Sequence, residues 1–274
     1  QIDLSSLESV KSFANAIMEM TEPLAVLMCN AGIMTTPFTL TGDGFESQFQ
    51  INYLSHYYLT MLLVEKLKAN PDGARLVNIS SISAAWVPFP ACCGGCCSRL
   101  CGFGPVNFSG GGAWPAKSGA CCSYEPMDSY AYSKAAQVIF GSELDRRVFA
   151  GTKVIALSVE PGSNPTTSIH KNGRGSMCLQ FMFSYTCLPC LLKVFCIHKE
   201  MDVMASSGVY AALSDNVQRG DYFRNNLKYK TRGPAGDPKH GPPLWDFSAK
   251  CVQSKVPGEV PNADAPPVQN MLRK

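Results

Sequence analysis

The first segment of the chain has the pattern of a helix with one apolar face. Apolar residues recur at helical spacing from Leu7 to Ile17. Ser5 followed three positions later by Glu8 forms a capping-box pattern, which marks a helix N-terminus. The pattern therefore predicts a helix over about residues 6–20.

Further elements follow in strict alternation of strand and helix. Continuous apolar runs of about six residues are typical of buried parallel strands, and longer segments with one apolar face are typical of helices. The pattern predicts strands over about 24–29, 75–79 and 152–159, and helices over about 45–69 and 129–148.

This order of elements predicts a fold class. Strands separated by helices form right-handed crossovers, which produce a parallel sheet covered by helices on both faces. We therefore predict an α/β protein with a doubly wound, Rossmann-like parallel sheet. Ligands of such sheets bind outside the carboxyl ends of the strands, where Asn30, Ser81 and the pair Pro161-Gly162 lie.

Composition narrows the class further. The 274 residues are 46% hydrophobic, which is enough for one large domain. The net charge of +3 comes from basic and acidic residues that are spread along the chain. Because they form no basic stripe, we expect no nucleic acid as a partner. No long apolar run opens the chain, so no signal peptide or anchor is visible. Because the cysteines cluster instead of spreading as in a disulfide scaffold, we expect an intracellular protein, cytoplasmic or membrane-associated.

Thirteen cysteines are present, and they cluster. The segment 92–122 holds seven of them among glycines and has no periodicity, so we interpret it as an inserted loop. Two Cys-x-x-Cys pairs, starting at Cys93 and Cys187, raise a zinc alternative, but flanking cysteines blur the spacing and we predict no metal. From about residue 233, Pro and Gly predict a poorly ordered tail.

Candidate chemistry centres on Tyr130 and Lys134, which stand four positions apart on a predicted helix and therefore share a face. A neighbouring ammonium favours the phenolate, so we predict that Lys134 lowers the pKa of Tyr130. A chance Tyr-x-x-x-Lys is common, and this spacing alone is weak evidence. Ser81 at a strand end and Asn52 in a helix are ordinary turn and surface residues when taken singly.

Six short motifs follow one another along the chain: Asp3-Leu4, Asn30-Ala31-Gly32, Asn52, Asn78-Ile79-Ser80-Ser81, Tyr130-x-x-Ser133-Lys134 and Pro161-Gly162. In this order they resemble the successive motifs of the short-chain dehydrogenase/reductase family, in its retinol dehydrogenase-like and WW-domain oxidoreductase-like branch. The resemblance covers about residues 3–162, with further similarity at 206–213 and 244–248.

The resemblance implies a role for each candidate. Tyr130 would be the general acid/base, Lys134 would lower its pKa and bind the nicotinamide ribose, Ser81 would orient the carbonyl, and Asn52 would anchor a relay water. It also implies NAD or NADP as cofactor. The residues that it places at the cofactor are Asp3, Leu4, Asn30, Ala31, Gly32, Tyr130, Lys134, Pro161, Gly162 and Thr166.

The chain departs from the family in two ways. The family's glycine-rich turn, which holds the cofactor pyrophosphate at a helix N-terminus, has no counterpart here, so we expect the domain to be N-terminally truncated. We also expect residues 1–274 alone to be poorly soluble and to bind neither NADH nor NADPH at micromolar concentration. In addition, Ser81 and Tyr130 are 49 positions apart, further than is usual in the family, and the excess corresponds to the 92–122 segment.

The resulting hypothesis is a single, partial short-chain dehydrogenase domain that moves hydride between NAD(P) and a lipophilic alcohol, aldehyde or ketone. The apolar stretch 179–197 is in keeping with a small lipophilic substrate. Two alternatives are an inactive fragment or misassembled gene product, and a non-catalytic interaction protein on the same fold. Membrane association stays open, and family members often form homodimers through the helices that carry Asn52 and Tyr130.

Overall fold

A computed structural model describes residues 1–86, 126–162 and 200–257 of the chain; the predicted 92–122 insertion and Thr166 lie outside these ranges. The helices are α1 (Leu7–Met18), α2 (Ser47–Phe49), α3 (Ser55–Lys68), α4 (Pro126–Arg147), α5 (Met201–Leu213) and α6 (Gly241–Gln253). The strands are β1 (Val26–Cys29), β2 (Ala74–Ile79), β3 (Val154–Glu160), β4 (Tyr222–Arg224) and β5 (Leu227–Lys228).

The strands form one sheet in the order β1-β2-β3-β4-β5. The first four strands are parallel, and β5 returns antiparallel to β4 as a short hairpin. The predicted parallel sheet is thereby confirmed, whereas the sequence pattern missed both β4 and β5. Strand β1 lies at the edge of the described sheet, and Met28 on it is 39% exposed.

Helices cover both faces of the sheet, as predicted for a doubly wound fold. Side chains of successive strand residues point to opposite faces. Leu76 and Ala156 therefore join one cluster with α1, α3, α4 and α6, whereas Val77 and Leu157 join a second cluster beneath α5. Because β2 and β3 are buried on both faces, they read in the sequence as continuous apolar runs.

The first helix begins one residue later than the capping-box pattern predicts. The cap is Ser6, whose hydroxyl accepts a hydrogen bond from Ser9 N at 3.3 Å. Ser5 instead donates its hydroxyl to Asp3 Oδ1 at 2.7 Å. The Asp43 carboxylate accepts from Leu7 N at 2.8 Å, so a distant loop satisfies a helix-end donor that the Ser5–Glu8 box cannot.

The second predicted helix is interrupted. Between α2 and α3 the chain forms a π-helical turn over Gln50–Leu54. Such a turn widens the backbone spiral by one residue and re-aims the side chains on it, and it is frequent at functional sites. Asn52 lies in the middle of this turn, fully buried.

The prediction of a poorly ordered tail from about residue 233 is wrong for residues 233–257. Helix α6 begins at Gly241 with Pro242 and Pro243 in its first turn, where proline is tolerated because those N–H groups have no helical partner. Trp245 on this helix is 2% exposed and packs edge-on against Tyr57, with ring centroids 5.9 Å apart. The aromatic packing anchors the segment to α3.

Gly73 connects α3 to β2 in a way that only glycine permits. Its φ is +92°, and a Cβ there would lie 2.7 Å from the Lys153 carbonyl oxygen. We expect Gly73→Ala to lower the free energy of unfolding by about 2 kcal/mol or more, from left-handed strain plus displacement of β3. Urea denaturation measures this. Gly151→Ala is the control, because Gly151 has φ +76° with nothing within 4 Å of a Cβ; equal losses would show that the close contact contributes nothing.

Candidate active site

The residues predicted to carry chemistry gather at the carboxyl edge of the sheet. Strand β2 ends at Ile79 and is followed by Ser80 and Ser81. Strand β3 ends at Glu160 and is followed by Pro161-Gly162. Parallel strands bring their carboxyl ends to the same edge, so this juxtaposition follows from the topology.

A buried carboxylate positions the helix that carries Tyr130. Glu46 caps α2 by accepting from Gln48 N at 3.0 Å and Phe49 N at 2.8 Å. The same carboxylate accepts from the Ser129 hydroxyl at 2.9 Å, one residue before Tyr130. Charge-assisted hydrogen bonds of this kind are short and geometrically specific. The N-terminal turn of α4 is therefore fixed to α2.

Tyr130 is buried, and its hydroxyl is hydrogen bonded to Ser81. Burial raises the pKa of Tyr130 to about 12, and the hydrogen bond from Ser81 lowers it in part. The preceding Ser80 has a different environment, since its hydroxyl donates to the Lys134 carbonyl oxygen at 2.9 Å. Of the two serines, Ser81 is the one in contact with the phenol.

Lys134 is also buried, with its Nζ 5.8 Å from the centroid of the Tyr130 ring. The ammonium donates to the Ile79 carbonyl oxygen at 2.9 Å and to Gln137 Oε1 at 3.1 Å. Burial lowers the pKa of Lys134 to about 8, and the nearby Cys29 thiol opposes that shift. The prediction that Lys134 lowers the pKa of Tyr130 is not confirmed: burial of the phenol dominates and raises it.

The Asn52 amide joins three parts of the site. Its Oδ1 accepts from Ile33 N at 2.8 Å, and its Nδ2 donates to Ile33 O at 2.9 Å and to Ser133 Oγ at 2.9 Å. The side chain thereby ties the loop after β1 to α4. The helix-surface alternative for Asn52 is wrong, because the residue is fully buried.

We expect Asn52→Leu, a change of similar shape, to lower the free energy of unfolding by about 3 kcal/mol. The substitution leaves the part-buried Ile33 N–H and C=O without their amide partner, at a cost of about 1–3 kcal/mol for each, and it removes the hydrogen bond to Ser133 Oγ, whose hydroxyl still donates to Tyr130 O. Chemical denaturation of both proteins checks the value. A loss below about 0.5 kcal/mol, the scatter of surface substitutions, would contradict a structural role.

Asp3 and Leu4, the predicted cofactor residues at the start of the chain, have different environments. Asp3 is exposed, and its carboxylate accepts from Ser5, which lowers the pKa of Asp3. The Leu4 carbonyl oxygen accepts from the Ser55 hydroxyl at 2.7 Å. Among the described residues, no hydrogen bond or ion pair joins Asp3 or Leu4 to Tyr130 or Lys134.

The remaining cofactor candidates line the sheet edge. Asn30 and Ala31 are exposed just beyond β1, while Gly32 faces the site: a Cβ there would lie 3.0 Å from Asn52 Oδ1 and 3.5 Å from Lys134 Nζ. Gly162 has φ +96° at the end of β3. Gly32 is thus brought together with Asn52 and Lys134.

Two buried residues that the sequence analysis missed adjoin Lys134. The Gln137 amide nitrogen lies 3.5 Å from His56 Nδ1, and that ring nitrogen lies 3.0 Å from the Asn52 carbonyl oxygen. Burial lowers the pKa of His56 to about 4, so the imidazole is neutral at pH 7. Their spacing was a usable signal, because Gln137 is three positions from Lys134 and His56 four from Asn52.

Metal ligands do not cluster in the described part of the chain. Among those residues, no group of three or more His, Cys, Asp or Glu side chains is placed to hold a metal. The Cys93 and Cys187 pairs lie outside the described ranges. No helix among the described residues is both long and apolar enough to cross a bilayer.

A doubly wound sheet with a serine, a tyrosine and a lysine gathered at its carboxyl edge defines an α/β protein of the dinucleotide-binding type. Comparison with known proteins specifies the family. The family model described as short chain dehydrogenase matches residues 1–98. Human retinol dehydrogenase 13 is 32% identical over 260 residues, which cover 93% of this chain and 69% of that protein. The chain belongs to the short-chain dehydrogenase/reductase family.

Other relatives extend the comparison. The WW domain-containing oxidoreductase of Gallus gallus is 32% identical, and the match covers 93% of this chain but 55% of that protein. Short-chain dehydrogenase TIC 32 A, chloroplastic, of Brassica napus is 30% identical, with 93% and 72% coverage. The chain therefore spans about half of the WW domain-containing relative and roughly seven-tenths of the other two.

Solved structures agree on the fold. A protein of uncharacterized function from Mycobacterium paratuberculosis has a TM-score of 0.58 and 25% identity, covering 93% of this chain and 75% of that one. A blue fluorescent protein from a metagenomic library, solved in complex with NADPH, has a TM-score of 0.52 and 20% identity, covering 81% and 71%.

Proposed function

We propose that this chain is the catalytic part of an NAD(P)-dependent oxidoreductase that interconverts a lipophilic alcohol and its aldehyde or ketone. The observation that carries the proposal is the contact between the Ser81 and Tyr130 hydroxyls beside the Lys134 ammonium. Two hydroxyl donors that converge on one point can bind a carbonyl oxygen and supply its proton.

The residues present fit a nicotinamide nucleotide. Gly32 has no side chain beside Lys134 Nζ, and any Cβ there would crowd Asn52. An ammonium has three donors, and Lys134 uses two of them on Ile79 O and Gln137 Oε1. Within residues 1–86, 126–162 and 200–257 the third donor has no hydrogen-bond partner, so it can bind a ribose hydroxyl. When bound, NADH or NADPH would supply the hydride.

Each side chain has a defined task in this scheme. Ser81 orients the substrate oxygen by donating a hydrogen bond to it. Tyr130, whose pKa burial raises to about 12, keeps its proton at pH 7 and can donate it to the oxygen of a carbonyl undergoing reduction. Lys134 binds the ribose, and Asn52 and Ser133 hold the surrounding backbone in place.

A retinol dehydrogenase-like substrate class is supported by the similarity to retinol dehydrogenase 13 and by the apolar stretch 179–197, which lies outside the described residues. The proposal is a small lipophilic molecule with a primary or secondary alcohol, or the matching carbonyl. We also propose that the protein forms a homodimer through the helices that carry Asn52 and Tyr130.

The test uses two proteins: residues 1–274, and the same chain preceded by the family's glycine-rich segment, termed the extended chain. Each is titrated with NADH and NADPH by fluorescence and then assayed with retinal, decanal and acetone. We expect the extended chain to bind one cofactor at micromolar concentration and to reduce retinal or decanal faster than acetone. If the extended chain binds a cofactor but turns over no carbonyl, the result favours a non-catalytic interaction protein. If the extended chain binds neither cofactor, the result favours an inactive fragment.

A further inference from the structure

A pocket opens at the carboxyl edge of the sheet, next to the residues described above. Its cavity volume is about 90 Å³, and it is open to solvent. One wall is the turn that follows Ser81, including Ile82, and another is the end of β3 at Glu160. The third wall comes from the β4–β5 hairpin and the segment after it. We call this cavity the basic pocket.

The charges that line the basic pocket do not balance. Three cationic residues, Arg224, Lys230 and Arg232, border it together with a single carboxylate, Glu160. Glu160 is buried, and its Oε1 lies 3.3 Å from Arg224 Nε. Among the described residues, neither Lys230 nor Arg232 forms an ion pair. The pocket therefore carries excess positive charge that a bound anion would offset.

The two guanidinium groups are held in place before any anion binds. The Tyr229 ring lies 5.7 Å from Arg224 Cζ and 5.3 Å from Arg232 Cζ. Cation–π contacts orient a guanidinium without using its N–H donors, so the donors of Arg232, and those of Arg224 that do not face Glu160, stay available to a ligand. A planar guanidinium fork matches carboxylate and phosphate oxygens in pairs.

The backbone that presents Tyr229 is also constrained. Strands β4 and β5 are joined by Asn225 and Asn226, both at positive φ (56° and 59°). Positive φ at both central residues is the signature of a tight type I′ hairpin turn, and asparagine tolerates it well. Residues 224–228 therefore form a tight hairpin, and the segment that leads to Arg232 follows it. The Tyr229 N–H donates to the Tyr222 carbonyl oxygen at 2.7 Å, which fixes Tyr229 to β4.

The basic pocket adjoins the proposed carbonyl position along the chain. Ile82, in one wall, directly follows Ser81, so their Cα atoms are about 3.8 Å apart. Glu160, in another wall, directly precedes Pro161, which the family resemblance places at the nicotinamide. The pocket and the proposed carbonyl position are therefore neighbours at the same edge of the sheet.

We propose that the basic pocket binds an anionic group, a carboxylate or a phosphate monoester, carried by the substrate whose carbonyl Ser81 and Tyr130 hold. The inference rests on the proposed function and narrows its substrate class to carbonyl compounds or alcohols that bear an acidic group. The apolar wall residues Ile82, Ala84, Ala85 and Ala235 suit the hydrocarbon between the two groups.

Binding is tested first, without any reaction. The extended chain, without cofactor, is titrated with inorganic phosphate, butyrate and the neutral analogue butanamide by isothermal calorimetry. We expect the two anions to bind and butanamide not to. Arg232→Gln and Lys230→Gln should each weaken anion binding by about tenfold or more, because each removes a charged hydrogen-bond donor.

Two variants keep this experiment decisive. Arg232→Lys retains the charge and should retain most of the affinity for phosphate. Lys153→Gln removes a cation at the opposite end of β3, about 20 Å from Glu160, and should leave anion binding unchanged. Equal binding of butyrate and butanamide, or equal losses in Lys153→Gln and Arg232→Gln, would overturn the proposal.

Turnover separates this inference from the proposed function. The extended chain is assayed with an aldehyde that carries a terminal carboxylate and with the methyl ester of the same compound. We expect a higher kcat/KM for the acid, and a fall of about tenfold in the acid-to-ester ratio in Arg232→Gln. Turnover of both compounds at equal kcat/KM would overturn the basic pocket and leave the oxidoreductase standing. Charge-dependent binding without turnover would support the pocket and contradict the oxidoreductase.

Discussion

Tyr130→Phe should abolish turnover in the extended chain while leaving cofactor affinity nearly unchanged. The substitution removes the phenolic oxygen that contacts Ser81 and leaves the ring that packs beside Lys134. Loss of a positioned general acid typically reduces the rate by about 10²–10⁴-fold. Steady-state assays together with cofactor titration measure the two effects separately.

Tyr57→Phe is the matched control for this prediction. Tyr57 is a fully buried tyrosine whose hydroxyl has no hydrogen-bond partner within the described part of the chain. Deleting that hydroxyl should leave turnover intact and should not lower the free energy of unfolding, because an unpaired buried hydroxyl is costly. Comparable turnover in Tyr130→Phe and Tyr57→Phe would move the proton-transfer role away from Tyr130.

The raised pKa of Tyr130 also bears on the direction of the reaction. A phenol with a pKa of about 12 is protonated at pH 7 and suits proton donation to a carbonyl. Alcohol oxidation needs the phenolate instead, so its rate should rise with pH across the neutral and alkaline range.

The sequence predicted the central part of the fold because its signals are local. Strands β2 and β3 are buried on both faces and read as continuous apolar runs, while α1 and α4 carry clear helical periods. Strands β4 and β5 were missed because they are three and two residues long and are defined by pairing with distant residues. No local period exists over so few residues.

Two errors have identifiable physical causes. The prolines before Trp245 were interpreted as signs of disorder, although they occupy the first turn of α6, where proline is compatible with a helix. The lowering of the Tyr130 pKa by Lys134 was inferred from their spacing on one helix face, which ignores burial. In the fold, both groups are desolvated, and each is shifted towards its neutral form.

The candidate site could be predicted only in part. Strand-end positions predicted that Asn30, Ser81 and Pro161-Gly162 share one sheet edge, because strand ends converge in a parallel sheet. The family resemblance, and not the strand pattern, added Tyr130 and Lys134 to that site. The basic pocket could not be predicted, since it depends on how Arg224 and Arg232 stack on Tyr229 after the β4–β5 turn. Such contacts arise from tertiary packing, for which the sequence pattern holds no period.

Lys134→Met should eliminate turnover and weaken cofactor binding, and at the same time remove a pH dependence from the stability of the fold. Burial lowers the pKa of Lys134 from 10.5 to about 8, so the folded state disfavours the ammonium. Below pH 8 the lysine is charged in both folded and unfolded chains, and the cost of burying the charge is fully present. Between pH 8 and 10.5 the folded chain has released the proton that the unfolded chain still binds, so stability rises with pH.

Lowering the pKa of Lys134 from 10.5 to about 8 corresponds to roughly 3 kcal/mol. The hydrogen bonds from the ammonium to Ile79 O and Gln137 Oε1, worth about 1.5–3 kcal/mol each, offset that cost at pH 7. We therefore expect Lys134→Met to be about as stable as the wild type at pH 7, and the wild type to become the more stable of the two by roughly 3 kcal/mol as the pH rises from 8 to 10.5. Urea denaturation of the extended chain and of its variant between pH 7 and 10.5 measures the difference, with Lys153→Met as the control for a surface lysine. A variant less stable than the wild type at pH 7, by a margin that does not change with pH, would show that the ammonium is stabilised by its partners and that its pKa is not lowered.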